Sequence, residues 1–538
     1  MFFVKVVGIM QKVSSWKELT LREKIGQTVV CTCNPDEHIK MCGSVEEFLK
    51  KYPIGGIFNN GAYINGLDTG ENEGFKSLVE EYNSYLSVPM FTVADNGTFA
   101  KNNKVNISRQ MAVGAANDEE LAYKIGQFQA EDCKKTGINW LLWPVCDLGI
   151  SKRSPVTDVR SVGSDPELVT RMVRKEIQAM KDNNVISCLK HYPGTPYDEH
   201  LDPHLTSVDN KTPLDFWMAN YGKMYKELFK ENAPTIMTGH MNLVNYQTDE
   251  FEGKFPPATL SYDLTTKLLR EELGFKGVVI TDALCMGGFT GENALQNTIK
   301  CFLAGNDVLL WPSFEYIDEM ERLILSGEVK EEVLDAAVER IWNLKAEYGI
   351  LEGVKNASDK TVEFFEDIAN ELAEKSLTLI NNERKLIPFD QNKIKKVLII
   401  GVTPSDKQFE ELVELKSEFE AYGCKVEMRR NNISPFDNTK DCTENDLILF
   451  ALCRTPHMPL GPLDFWGNES ASIWASNTVD KSKTVVASFG SPYVYRYYEN
   501  SNLTYINAYH NSKEVIKAFV AAIFGKKPFT GISSVELI

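Results

Sequence analysis

Over the first two-thirds of the chain, short and nearly continuous apolar runs alternate with longer amphipathic stretches. The apolar runs are Gly26–Val30, Gly55–Phe58, Met90–Ala94, Asn139–Trp143, Val185–Leu189, Pro234–Gly239, Gly277–Thr281 and Asp307–Leu310. Between them lie amphipathic segments such as Asp118–Lys134, Asp165–Asp182, Pro213–Glu231 and Tyr262–Leu273. Strands that are apolar on both faces belong in a parallel sheet covered on both sides. Eight such runs with intervening helices predict an α/β fold built on a (β/α)8 TIM-like barrel.

Helical stretches Lys330–Tyr348 and Asp359–Lys375 follow, and the polar, Gly- and Asn-bearing segment Leu351–Ser358 between them reads as a linker. A second alternating unit then runs to the end. Its strands are predicted at Lys396–Gly401, Lys425–Met428, Leu447–Ala451, Thr484–Ser488 and Thr504–Ala508, with helices such as Asp406–Ala421 and Ser512–Phe524 between them. The expected organisation is a barrel over residues 1–350, a linker and helix over 351–375, and a smaller αβα sandwich domain over 376–538. No internal repeat and no low-complexity tract interrupts this pattern.

Composition narrows the functional classes. The 538 residues are 43% hydrophobic and 25% charged, an ordinary globular balance. The formal net charge of −17 argues against nucleic acid or an anionic membrane as a partner, since both select for basic surface. No apolar stretch approaches the roughly 20 residues that span a bilayer. The opening MFFVKVVGIM is interrupted by Lys5 and lacks a small-residue cleavage site, so it reads as a poor signal peptide, with Met10 an alternative start. Eleven scattered cysteines suit a reducing cytoplasm better than a disulfide framework.

In a parallel barrel the chemistry gathers at the carboxyl ends of the strands. Here those ends carry Asp95, Asp147, Lys190 with His191, His240 and Asp282. Asp282 closes the apolar run Gly277–Thr281. A carboxylate held at a rigid strand end suits nucleophilic attack at the anomeric carbon of a sugar, and equally suits a helix N-cap. Three of the seven histidines fall in the Pro- and Gly-bearing stretch from His191 to His204. His204 stands two residues after Asp202, close enough to donate to it, which would orient the ring and raise its basicity. Metal ligation by Asp198, His200, Asp202 and His204 is the alternative for this loop, and Cys31, Cys33, His38 and Cys42 form a second metal candidate beside the plainer reading of buried thiols. Trp140, Trp143, Trp311, Trp466 and Trp474 are candidates either for stacking on sugar rings or for the core.

Several ordered segments carry a resemblance. They are Leu19–Gln27, Tyr52–Ile57, Pro144–Asp147, Arg160-Ser161, Ser164–Glu167, Lys190–Gly194, Asp202-Pro203-His204 and Pro257–Ser261 through Asp282. Together they resemble glycoside hydrolase family 3 in its β-N-acetylhexosaminidase branch. The resemblance implies that Asp282 is the nucleophile and that His204, held by Asp202, is the acid/base. It further implies that Asp95, Arg160, Lys190 and His191 hold sugar hydroxyls. The β-glucosidase branch of the family lacks this His loop, so the resemblance favours N-acetylglucosamine-like substrates. It gives the second domain no catalytic role.

Two departures stand out. After Asp95 the family's paired glycines and substrate-binding arginine are absent, leaving Lys101 or Lys104 as substitutes that lack the bidentate fork. The His loop is one residue longer and lacks the usual His-Gly after Pro-Gly. The expected function is therefore a retaining glycosidase acting on a carbohydrate substrate without metal or other cofactor, and a homodimer is compatible with it. Two alternatives are a phosphorylase, because a neutral histidine does not repel phosphate, and a sugar-binding homologue without activity.

Overall fold

The computed structural model describes residues 12–59, 73–95, 105–197, 200–251, 253–289, 293–353, 357–455 and 463–537. Met10, Lys101, Lys104 and Asp198 lie outside these residues. The eight expected runs form β1 (Val29–Thr32), β2 (Gly56–Phe58), β3 (Phe91–Asp95), β4 (Trp140–Leu142), β5 (Leu189–Tyr192), β6 (Thr235–Thr238), β7 (Val278–Thr281) and β8 (Leu309–Leu310). All their pairings are parallel, in the orders β4-β3-β2-β1-β8 and β5-β6-β7. Parallel bridges Trp140↔Ile186 and Ile280↔Val308 join the two sets and close the barrel. The strands are buried almost throughout, which is why they read as continuous apolar runs rather than alternating ones.

The fifth strand lies later than its apolar run suggests. Val185–Cys188 contributes only the bridge at Ile186, and the ladder to β6 runs from Leu189↔Ile236 to Tyr192↔Thr238 with a register shift between. Lys190 and His191 therefore sit inside the strand and not in the loop beyond it. Three expected helices are also modified, of which Tyr262–Leu273 is wound as a π-helix over Asp263–Glu272. Pro213–Glu231 is interrupted by a wide π turn at Met218–Gly222, and Asp406–Ala421 divides into Asp406–Glu410 and Glu414–Ala421.

The second sheet has six strands: β9 (Thr378–Asn381), β10 (Lys396–Val402), β11 (Lys425–Arg430), β12 (Leu447–Leu452), β13 (Thr484–Ser488) and β14 (Thr504–Asn507). Their order is β11-β10-β12-β13-β14-β9, parallel except for β9. β9 escapes sequence reading because it follows directly on a helix and only its first residue is fully buried. Helix Val362–Ser376 packs against Gln110–Ala116 on the barrel and Lys513–Ile523 on the second sheet. Tyr493 Oη donates to the Gly149 carbonyl (2.8 Å), and Ser164 N donates to the Ser534 carbonyl (2.9 Å), so the second sheet is fastened beside the carboxyl end of β4. Among the described residues, no helix is long and apolar enough to cross a membrane.

One buried carboxylate secures the barrel's closing seam. Asp307, 1% exposed, accepts from Arg270 Nη2 (2.7 Å), Arg340 Nε and Nη2 (3.0 and 2.7 Å) and the Val279 N–H (2.8 Å). It thereby ties β7 and two outer helices together. Asp307→Asn leaves both guanidinium groups without their counter-charge. Because Arg340 is about one-third exposed, we expect a loss near the low end of a broken buried pair, about 3 kcal/mol, read from the urea midpoint. An unchanged midpoint would show that the seam does not depend on this carboxylate.

Candidate active site

The strand ends converge on one pocket. Asp95, Val156, Arg160, His191, Pro203, His204, Gly239, His240, Met241 and Asp282 line it. Asp95 ends β3, Gly239–Met241 follow β6, and Asp282 follows β7. The structure thus brings together Asp95, Arg160, His191, His204 and Asp282, with Lys190 and Asp202 directly behind them.

The floor of the site is a set of paired charges. Lys190 Nζ, completely buried, donates to Asp95 Oδ1 at 2.5 Å. Burial alone would raise the Asp95 pKa, but the charges of Lys190 and Arg160 outweigh it and hold the carboxyl below its ordinary value. Asp147, 0% exposed, receives three N–H donors: the His191 backbone (3.0 Å), His191 Nδ1 (2.7 Å) and the Thr195 backbone (2.9 Å). Burial works against its ionisation, yet the His191 charge and these hydrogen bonds keep its pKa low. Because a carboxylate only accepts, Nδ1 of His191 carries the proton and Nε2 is the ring's other polar face. The Lys190–His191 and Tyr192–Pro193 peptide bonds are cis.

The loop after β5 carries the second pair. Asp202 Oδ1 accepts from His204 Nδ1 (2.6 Å) and from the His204 backbone (2.9 Å). Burial raises the Asp202 pKa, and the His204 hydrogen bonds and nearby charges more than reverse it. Asp202 is buried whereas the His204 side chain is 34% exposed, so the carboxylate orients the ring from behind. Two glycines dock this loop onto the segment after Asp282. Gly287 N donates to the His204 carbonyl (2.8 Å) and Gly288 N to the Pro203 carbonyl (2.9 Å). A Cβ at Gly287 would lie 2.5 Å from Leu205 O, and one at Gly288 2.8 Å from Pro203 O. Only glycine permits that approach.

Asp282 Oδ1 accepts from the Ala283 N–H (2.8 Å), while its own N–H donates to the Thr238 carbonyl (2.8 Å), anchoring it to β6. His240 packs beside it. Its Nε2 donates to the Ala283 carbonyl (2.9 Å), so Nδ1 accepts from the Thr259 hydroxyl (3.0 Å). Burial lowers its pKa, which holds the ring neutral. Asp147 and His240 are recognisable in the sequence only as strand-end residues, and nothing there names their partners.

The remaining candidates fall elsewhere. His38 is stacked on Phe48 with centroids 3.9 Å apart, bonded to Tyr82 Oη at 2.8 Å and 4.0 Å from Cys31 Sγ, inside an apolar cluster. Among the described residues, no group of three or more His, Cys, Asp or Glu side chains is arranged to hold a metal ion. Trp140 is fully buried core, Trp143 donates to Glu176 (3.1 Å), and Trp311 packs edge-on to Phe58. Trp466 and Trp474 are exposed on the second domain. None of these five lines the pocket. The pocket therefore offers a carboxylate able to attack an electrophilic carbon, and an imidazole able to transfer a proton, above a floor of polar groups.

Comparison with known proteins agrees with this architecture. The model for the N-terminal domain of glycosyl hydrolase family 3 matches residues 20–344. A β-N-acetylglucosaminidase/β-glucosidase of Cellulomonas fimi is 26% identical over 512 residues, covering 89% of this chain and 90% of that protein. β-Hexosaminidase A of Pseudoalteromonas piscicida is 29% identical over 333 residues, 56% of this chain and 54% of that protein. Two solved structures share the fold. A family 3 β-N-acetylglucosaminidase from Paenibacillus sp. str. FPU-7 superposes with a TM-score of 0.80 at 22% identity, covering 96% of this chain and 99% of that one. A β-glucoside phosphorylase superposes with a TM-score of 0.81 at 23% identity, covering 97% and 95%.

Asp147 gives a pH-dependent prediction. Its folded pKa lies below the unfolded value of about 3.9, so it contributes stability that is present above about pH 4 and lost as the pH falls through the folded value. Asp147→Asn should cost about 3 kcal/mol at neutral pH, and its deficit relative to the natural protein should shrink below about pH 4. Urea unfolding at both pH values checks this, and a deficit independent of pH would refute it.

Proposed function

The chain belongs to glycosyl hydrolase family 3, and from that premise we propose that it is a retaining glycosidase releasing terminal β-linked N-acetylglucosamine-like sugars. The observation that carries this reading is His204, oriented by Asp202, lining the same pocket as Asp282. Asp282 attacks the anomeric carbon while protonated His204 gives its Nε2 proton to the departing oxygen. The bond to the aglycone breaks and a glycosyl ester of Asp282 forms. Neutral His204 then takes a proton from water, whose oxygen attacks the same carbon and returns Asp282 to its ionised form.

Asp202 acts through His204. It fixes the ring by its Nδ1 hydrogen bond and stabilises the imidazolium. Asp95, Lys190, His191 and Arg160 hold the sugar hydroxyls. Lys190 is paired with Asp95 and His191 with Asp147, so these side chains serve as donors and acceptors without leaving a buried charge uncompensated. The choice of an N-acetylated sugar rests on the His-bearing loop after β5 and on relatives that carry hexosaminidase names. Other relatives are named β-glucosidase or β-xylosidase, so a panel of chromogenic β-glycosides is the direct test of sugar identity. The eleven thiols, none in a disulfide, suit the reducing cytoplasm that this reading assigns to the enzyme.

Asp282→Asn should lower turnover by about 10⁴-fold or more with its fold intact by circular dichroism. It should not form the covalent adduct that a 2-fluoro glycoside traps on the natural enzyme. Near-normal activity would end the assignment.

His204→Ala should separate good from poor leaving groups. Alkyl or sugar aglycones should lose about 10²–10⁴-fold in kcat/KM, whereas an activated aryl glycoside loses less in its first step and is rescued by azide in its second. Equal losses across leaving groups would remove His204 from the proton-transfer role.

A further inference from the structure

We propose that the second domain carries a carbohydrate-binding site of its own, a cavity at the carboxyl edge of its sheet that holds a neutral sugar chain against the indole of Trp466. The cavity has a volume of about 580 Å³, within the range of pockets that take small ligands. It shares no residue with the pocket that holds Asp282.

Its place follows from the strand order. The chain runs from β10 outward to β11 and then crosses back to β12, so β10 has later strands on both flanks. In open parallel sheets, connections that leave a strand in opposite directions part at such a point and open a crevice at the carboxyl ends. Thr403 and Pro404 follow β10, Arg430 ends β11 and Asn431 follows it, and all four line the cavity. The segment Trp466–Glu469, at the head of helix Asn468–Ser476, completes the lining. Glu469 accepts from Arg454 Nη1 (3.2 Å), which ties this segment to the end of β12.

The walls are fixed before a ligand arrives. Asn431 Oδ1 accepts from the Thr403 N–H (3.1 Å) and its Nδ2 donates to the Thr403 carbonyl (2.7 Å), joining the ends of β10 and β11. Arg430 donates to Asp406 Oδ1 (2.6 Å) and to the Pro404 carbonyl (3.0 Å). Phe465 packs edge-on to Tyr497, with centroids 5.4 Å apart, and anchors the turn that carries Trp466.

The lining selects the ligand. Trp466 is 73% exposed, and a single exposed aromatic needs no explanation. Here both segments that border the cavity carry others. Trp474 on the helix, 52% exposed, meets Phe436 in the loop after Asn431, 80% exposed, with centroids 4.8 Å apart. The cations beside them are already neutralised, Arg430 by Asp406 and Arg454 by Glu469, so the lining does not favour an anion. Asn468, exposed on the same segment, adds an amide that both donates and accepts. A β-linked pyranose chain matches this mixture. Its C–H faces lie flat on an indole, and its hydroxyls bond to amide, carboxylate and guanidinium groups without bringing a charge. The site rests on the family's carbohydrate chemistry and not on the choice of sugar made above. It gives the enzyme a second hold on a long substrate, which raises the local concentration of chain ends at the active pocket.

The test is isothermal titration of the full chain carrying Asp282→Asn with chitohexaose and with cellohexaose. One of them should show two binding events. Trp466→Ala, added to Asp282→Asn, should weaken one event by about 10-fold or more and leave the other. Asn468→Ala, a second exposed position, should weaken the same event by less. Trp466→Ala alone should turn over a chromogenic monosaccharide glycoside as the natural protein does. Unchanged binding of both hexaoses in the Trp466→Ala protein overturns the site. Equal losses of hexaose binding and of monosaccharide turnover also overturn it, since Trp466 would then support the fold. ADP binding or self-association that Trp466→Ala abolishes, with no hexaose held there, would replace the sugar by a nucleotide or a second copy of the chain. A hexaose held at Trp466 by a protein that cleaves no β-glycoside would sink the glycosidase reading and leave this site standing.

Discussion

A single buried carboxylate organises the site. Asp147, out of reach of water, satisfies three N–H groups from the next strand and the loop beyond it. An ionised carboxylate without such donors would be strongly disfavoured at that depth, so the backbone must bring them. That requirement fixes the end of β4 against β5, sets the tautomer and direction of His191, and defines where the chain leaves the barrel toward Asp202 and His204. The same logic governs Lys190, which is fully buried and is stabilised there by Asp95.

The polarity of the barrel explains why such pairs are crowded together. All its strands run the same way, so every strand contributes its carboxyl end to one rim and the side chains there share a small volume. Charges that would be screened on an open surface feel one another strongly in that setting. The folded chain answers with pairs held by geometry, Lys190–Asp95, His191–Asp147 and His204–Asp202, and with His240 kept neutral by burial. Asp282 stands among them with one oxygen engaged by a backbone N–H. Ordered polarity of this kind, fixed before a ligand arrives, is what stabilises developing charge in a transition state.

Much of the barrel was legible because buried parallel strands leave continuous apolar runs, and strand ends could then be read off directly. The exceptions have local causes. β5 forms later than its apolar run because Val185–Cys188 makes a single bridge and the ladder begins at Leu189. β9 is an antiparallel edge strand, mostly half-buried, and carries little apolar signal. Within the site, His204 and Asp202 were visible as a pair because they are two residues apart. Asp147 and His191 are separated by 44 positions, and only the closed sheet reveals that they meet.

The two glycines after Asp282 bear on how this protein can change. Gly287 and Gly288 bind the carbonyls of His204 and Pro203 with no room for a side chain on either. The loop after β5 and the loop after β7, remote in sequence, are therefore a single heritable unit. Insertions in one have to be matched by the path of the other, and drift at position 288 is limited by the shape of residues 203–205. A chimaera taking one loop from each of two parents would join backbones never shaped to touch, and would misplace His204 while leaving every side chain of the site intact.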